Sequence, residues 1–314
     1  QIANPPQGYM QNCNVSPAVM MVDSPLRKEG FAARPYLFNE GLPYLHQRAA
    51  QTRAELDGET RLTLARAIEI AHSTVVYNAD AWQARLRQAW EAEAGGRKLS
   101  DDARAALKLV LDWNRRADES STGATMYQAW KDAVYAIPDE VPETKRIRGE
   151  SRLGEVARLH DRGGLEPPEV PGPRLLEALE PAAKRLRDDW GRLDVAFGDA
   201  FRIQRDGSPR SFPIGGGSLP GMAKPRAVSF RQQPDKRTQR GVGGQTATQI
   251  VVLTKPPRSY SLLPLGESDD PTSPHFDDQA ERLMQKRDLK PTYFLRKDEL
   301  LEHVTSTTVL ERRR

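Results

Sequence analysis

The sequence predicts an α+β fold, with a helical first half after an irregular start and a second half of strands and turns. Between residues 36 and 135, apolar side chains recur at helical spacing. After Phe197, short β-branched and aromatic runs alternate with glycine clusters. The composition can fill the cores this needs: 38% of the 314 residues are hydrophobic, and with glycine the apolar share reaches roughly 45%.

That composition excludes whole-chain disorder and a collagen-like repeat. It also excludes a membrane-spanning helix, because the longest clean aliphatic run is Ile250-Val251-Val252-Leu253, far short of roughly 18–20 residues. The single Cys13 excludes a disulfide framework. The length allows about two domains or one large one. Charge carries little information: 47 Lys+Arg against 43 Asp+Glu leave a net +4. The basic runs Lys145-Arg146-Ile147-Arg148 and Arg312-Arg313-Arg314 read as solvated surface, and no nucleic-acid partner is expected. The chain reads as a segment of a longer gene product. It starts at Gln1, and residues 1–20 lack a basic stretch followed by an apolar one.

Residues 1–35, rich in Pro, Asn and Gly, predict a strand or two joined by irregular loop. Leu64, Ala67, Ile68 and Ala71 form one helical stripe, and Trp82, Leu86, Ala89 and Trp90 form the next, with Gly95-Gly96 as its stop. Ser100 with Asp101 and Asp102 starts a helix whose buried face is Ala103, Ala106, Leu107 and Val110. Tyr127, Trp130 and Val134 mark another. Residues 136–173, dense in Pro and Gly, predict a connection or insertion. A helix from about Arg174 to Trp190 follows, kinked at Pro181. Ala227–Arg231 and Gln249–Thr254 predict strands, the second buried. Gly215–Gly217 and Gly241–Gly244 read as turns, and residues 277–288 and 297–304 as short helices.

Chemistry-bearing motifs are sparse. There is no Gly-x-Ser-x-Gly elbow, Walker loop, His-Glu-x-x-His or cysteine pair. The five histidines lack metal-ligand spacing, and Cys13 has no histidine near it in sequence. Pattern alone ends at an α+β chain of undefined activity.

Five segments in order nevertheless resemble the C-terminal part of the catalytic chain of the penicillin acylase family, which are N-terminal nucleophile amidohydrolases. Gly8-Tyr9-Met10-Gln11-Asn12-Cys13-Asn14-Val15-Ser16-Pro17 is similar to the family's Tyr-x-x-Asn-Trp-Asn-Asn-Ser-Pro stretch. Tyr44 to Thr63 keeps the family's spacing from Arg48 to Arg61-Leu62-Thr63. Phe197-Gly198-Asp199-Ala200-Phe201-Arg202 and Pro213–Gly217 resemble a Trp-Gly-Asp-Val-x-Arg segment and the Pro-Val-Gly-Gly-Gly after it. Gly266-Glu267-Ser268 through Ser273-Pro274-His275-Phe276-Asp277-Asp278-Gln279 resembles a Gly-Gln-Ser and Ser-Pro-His-Tyr-x-Asp-Gln signature.

The resemblance implies part of a four-layer αββα N-terminal nucleophile sandwich with a large helical excursion. Residues 1–35 would carry a sheet strand and the active-site loop with Asn14. Residues 36–135 would be the helical region with Arg48, and 174–314 a helix and then the β-rich C-terminal part. Asn14 aligns with the family's oxyanion-hole Asn and Arg48 with its active-site Arg. The implied activity is hydrolysis of an N-acyl amide: a β-lactam side chain, an acyl-homoserine lactone or an acyl peptide. The nucleophilic Ser is expected upstream of Gln1, so the implied partners are an upstream α chain and the N-terminal part of the β chain.

Two departures accompany the match. Cys13 stands where the family has a pocket Trp. The loop between Asn14 and Arg48 is long, and leaves Asp23 and Glu40 near, but not aligned with, a calcium-binding Asp. No cofactor is expected to be required, and a structural calcium would belong to the full-length protein. By the resemblance, the compartment is periplasmic or extracellular. His275 to Gln279 reads as a loop fastener. The alternative reading of the chain is a non-catalytic binding or structural relative with the same fold.

Overall fold

The computed structural model describes residues 2–38, 43–93, 98–136, 165, 167, 169–217, 219, 221–235, 237–293 and 295–312. The expected Gly95-Gly96 stop and most of the 136–173 connection lie outside the described residues. No strand forms among described residues 2–35. Turns of 3-10 helix at Pro17–Val19 and Lys28–Phe31 take its place. Prolines at 5, 6, 17 and 25 lack the donors a ladder needs, and Asn4, Asn14 and Asp23 have positive φ, so the chain bends instead.

The helical half follows the apolar stripes. Helix α1 spans Pro43–Leu56 and α2 Leu64–Ala71, where the Thr63 hydroxyl caps α2 by accepting from Arg66 N at 3.2 Å. Helix α3 spans Ala79–Ala92 and α4 Asp101–Leu111. Ser100 Oγ accepts from Ala103 N at 3.1 Å, and two acidic residues occupy the first turn of α4, where the helix dipole favours them. Helix α5 spans Thr122–Ala136. The predicted helix over 174–190 is two helices, α6 Gly172–Glu177 and α7 Leu179–Trp190. The break falls at Ala178 rather than Pro181. The proline ring collides with the carbonyl four residues back, at Glu177, so the helix divides one turn before it.

Helices α3 to α7 enclose one core. Trp82, Leu86, Val110, Met126, Tyr127, Trp130, Leu175, Leu176 and Leu179 are buried in it. Each buried Leu contributes roughly 1.5–3 kcal/mol. Trp82 meets Trp130 edge-on at 6.0 Å, and the Trp130 indole donates to Leu175 O at 2.8 Å.

After the short helix α8, Phe197–Ala200, come β1 Phe201–Ile203, β2 Phe212–Pro213, β3 Val228–Gln232 and β4 Gln239–Gly244. They form a sheet of order β2-β1-β4-β3 in which β1 and β4 are parallel and the other pairs antiparallel. Gly241–Gly244 thus lies in a strand rather than the expected turn. A Cβ on Gly241 would come within 2.9 Å of Ile203 and 3.1 Å of Val228, so only glycine lets the neighbours close in. Strands β5 Thr248–Val252, β6 Arg258–Leu262 and β7 Lys290–Thr292 form an antiparallel sheet of order β5-β6-β7. β5 is an edge strand, not a buried one: Val251 is exposed and Leu253 just beyond it is 89% exposed. A π-helical turn covers Ala280–Met284, and α9 spans Lys297–Leu301. Ala280 and Met284 join Ile203, Phe212, Ile214, Val228, Leu262 and Leu289 in a second core.

A polar joint links the two halves. Glu119 accepts from Gly215 N at 2.9 Å and pairs with Arg226 at 3.3 Å and Arg287 at 2.5 Å. Arg287 also reaches Asp118 at 2.9 Å, and Asp118 accepts from the Thr74 hydroxyl at 2.5 Å. Arg226 is fully buried, and burial pulls its pKa down to about 10. The result is a mixed α+β chain with small sheets and a large helical part.

Candidate active site

Residues 11–15 alternate buried and exposed. Gln11, Cys13 and Val15 point inward, and Asn12 and Asn14 outward. The segment is a bend rather than a strand, and Cys13 and Val15 face α1. Cys13 and Val15 pack against Ala49 in a small cluster with Val19, and Cys13 Sγ lies 3.5 Å from Thr52 Oγ1. The loop closes on itself where Gln11 N donates to Met20 O at 3.1 Å and Gln11 Nε2 to Val19 O at 3.0 Å. At the far end of α1, the Tyr9 hydroxyl donates to Asp57 Oδ1. Burial first, and then this carboxylate, push the Tyr9 pKa up to about 12.

Asn14 is exposed, with φ at +63°. Asn tolerates this left-handed conformation better than other non-glycine residues. Its amide N–H donates to Asn12 Oδ1 at 2.7 Å, an Asx turn that favours the bend. Arg48 lies on α1, next to Ala49 in sequence. Its side chain is half-buried, and its Nε is buried without a hydrogen-bond partner among the described residues. An orphaned guanidinium nitrogen is costly unless a ligand or further protein atoms meet it. The fold therefore brings the loop of Asn14 and the helix of Arg48 into one packed unit. A carboxamide donor facing solvent is a group that can stabilise negative charge on a carbonyl oxygen.

Cys13 faces α1, on the side of the chain opposite Asn14, so its small side chain fills the seam with the helix. Asn12 bonds the loop backbone, as Asn often does in loops, and the position sequence reading missed is Thr52, which meets Cys13 across the seam. Thr52 has no distinguishing pattern in the sequence.

The other matched segments are structural. Asp277 accepts from the Ser208 hydroxyl at 2.5 Å and pairs with Arg210 at 2.9 Å. Gln279 accepts from Leu263 N at 2.9 Å and donates to Glu267 at 2.8 Å, so His275 to Gln279 fastens two loops. Arg202 donates to Ser211 Oγ at 2.9 Å and to Gly198 O at 3.1 Å. Gly216 and Gly217 have φ of +91° and +100° and are pressed against Arg226 and Phe230, so each position requires glycine. A groove of about 790 Å3 between β1, β4 and residues 263–266 includes neither Asn14 nor Arg48.

Among the described residues, no group of three or more His, Cys, Asp or Glu side chains could hold a metal. Asp23 is exposed at the surface, and Glu40 lies outside the described residues. No helix among the described residues is long and apolar enough to cross a membrane.

A family model described as penicillin amidase matches residues 1–298.

Proposed function

This chain belongs to the penicillin amidase family, and we propose that it is the C-terminal part of an amidase that hydrolyses an N-acyl amide through an acyl-enzyme. Membership itself implies a hydrolase acting on amide bonds. The nucleophile in this reading is a Ser at the start of the catalytic chain, encoded upstream. Its hydroxyl attacks the acyl carbon while its own α-amine, with a pKa of about 7.7–8.0, takes the proton. The carbonyl oxygen becomes an alkoxide that Asn14 stabilises through its side-chain N–H. Collapse breaks the C–N bond and expels the amine, which takes up the proton. Water then attacks the ester, releasing the acid and the Ser hydroxyl. Arg48 holds the reacting groups in place and lowers the pKa of a neighbouring amine. Upstream segments of the precursor complete the cleft and the four-layer αββα sandwich. No cofactor takes part, and the site works in the periplasm or outside the cell. The acyl groups in scope are those of β-lactam side chains, acyl-homoserine lactones and acylated peptides.

The observation that supports this reading is the exposed left-handed Asn14 on a loop packed against the helix of Arg48. The test is expression of the full-length gene, with mass spectrometry for self-cleavage and assays on a panel of N-acyl amides. Two chains with a new N-terminal Ser and amide turnover are expected. An intact precursor without turnover would favour a non-catalytic binding relative.

A further inference from the structure

We infer that Asn12 is a positioning residue for Asn14: its side-chain oxygen, bonded to the Asn14 amide N–H, keeps the Asn14 carboxamide aimed outward. This rests on the reading of Asn14 as the oxyanion donor.

The geometry isolates the role. Cys13 and Val15, on either side of Asn14, are buried against Ala49, so the chain is pinned before and after the bend. Between these pins Asn14 is exposed and adopts φ +63°, which an L-residue other than glycine rarely keeps without local support. The support is the 2.7 Å bond from Asn14 N to Asn12 Oδ1. The Asn12 side chain is itself exposed, so it fills no core and its loss opens no cavity. Without that acceptor, the Asn14 amide turns to water and the bend shares its population with extended conformers. Those conformers swing the Asn14 side chain away. A donor in an oxyanion hole acts only when it is already in place as charge develops, so the loss falls on the chemical step. Substrate binding in the ground state, made by other atoms, is spared.

The same loop contains the control. Ser16 Oγ accepts from Ala18 N at 3.3 Å, which is the same i to i+2 arrangement made by a hydroxyl. Asn12→Ser therefore keeps an uncharged acceptor at position 12, whereas Asn12→Ala removes it.

The test uses the processed full-length enzyme, with rates expressed per nucleophile titrated by acylation burst, so that unfolded or unprocessed molecules do not count. Asn14→Ala is made in parallel. Asn12→Ala is expected to lower kcat about tenfold with KM changed by less than about twofold, the effect of one lost hydrogen bond felt in the transition state. Asn12→Ser is expected to recover most of that loss. If Asn14→Ala abolishes turnover and Asn12→Ala leaves kcat per site unchanged, or if Asn12→Ser is as slow as Asn12→Ala, the positioning role is overturned while the reading of Asn14 stands. If Asn14→Ala is itself silent, the oxyanion assignment fails and the inference fails with it.

Discussion

Cys13 Sγ lies 3.5 Å from Thr52 Oγ1, and this contact joins the loop of Asn14 to the helix of Arg48. The seam is tight, with Cys13 7% and Ala49 3% exposed. Restoring the bulk that the related family carries, by Cys13→Trp, should overpack it and cost about 1–3 kcal/mol. Urea denaturation of the complete protein reads this directly. A wild-type midpoint in the variant would mean that the seam opens freely.

Asn14→Ala removes the exposed carboxamide but leaves the buried anchors on either side intact. Turnover of a good amide substrate should fall about a hundredfold or more, the usual effect of deleting one oxyanion donor. The protein should keep its fold by circular dichroism, with a somewhat lower thermal midpoint because Ala at φ +63° is strained. Near-normal acylation in a well-folded variant would remove Asn14 from the mechanism.

Glu119 balances Arg226 and Arg287 at the joint between the helical half and the sheet. Glu119→Ala removes the ion-pair partner of the fully buried Arg226 guanidinium, and should destabilise by about 3–5 kcal/mol. Glu119→Gln keeps an acceptor for Gly215 N and should cost less. Chemical denaturation of the two variants orders them, and equal losses would show that the retained acceptor contributes nothing.

His72 gives the protein an acid-sensitive core. It is 1% exposed, neither ring nitrogen has a hydrogen-bond partner among the described residues, and burial, then Arg226 and Arg287, lower its pKa from 6.5 to about 3. Between those values the unfolded chain binds a proton that the folded chain refuses. Stability is therefore unaffected by this group above about pH 6.5 and declines as the pH falls toward about 3. His72→Leu should flatten that decline. Urea midpoints at about pH 7 and about pH 4.5 for both proteins test it, and parallel curves would refute it.

The helices were legible because their stripes are long enough to average out noise, and because Ser100 caps α4 as its residue type announces. The sheets were harder. β1, β2 and β7 have two or three residues each, too few for alternation to show. The glycines of β4 read as a turn because the reason for them, the approach of Ile203 and Val228, comes from residues distant in sequence. Nearly all-apolar β5 looked buried, but burial depends on what covers a strand, and its outer edge is unpaired among the described residues. At the site, an Asn in a polar loop has no signature of its own. Only family likeness singled out Asn14 and Arg48, and only coordinates reveal that their segments touch.

Because the pins on either side of Asn14 both rest on α1, the loop travels with that helix. A displacement of α1 would carry the carboxamide and the guanidinium as a single block. Evolution or design could thus retune the distance from this block to an acyl chain, by altering what lies beneath α1, without disturbing the mutual spacing of the two groups.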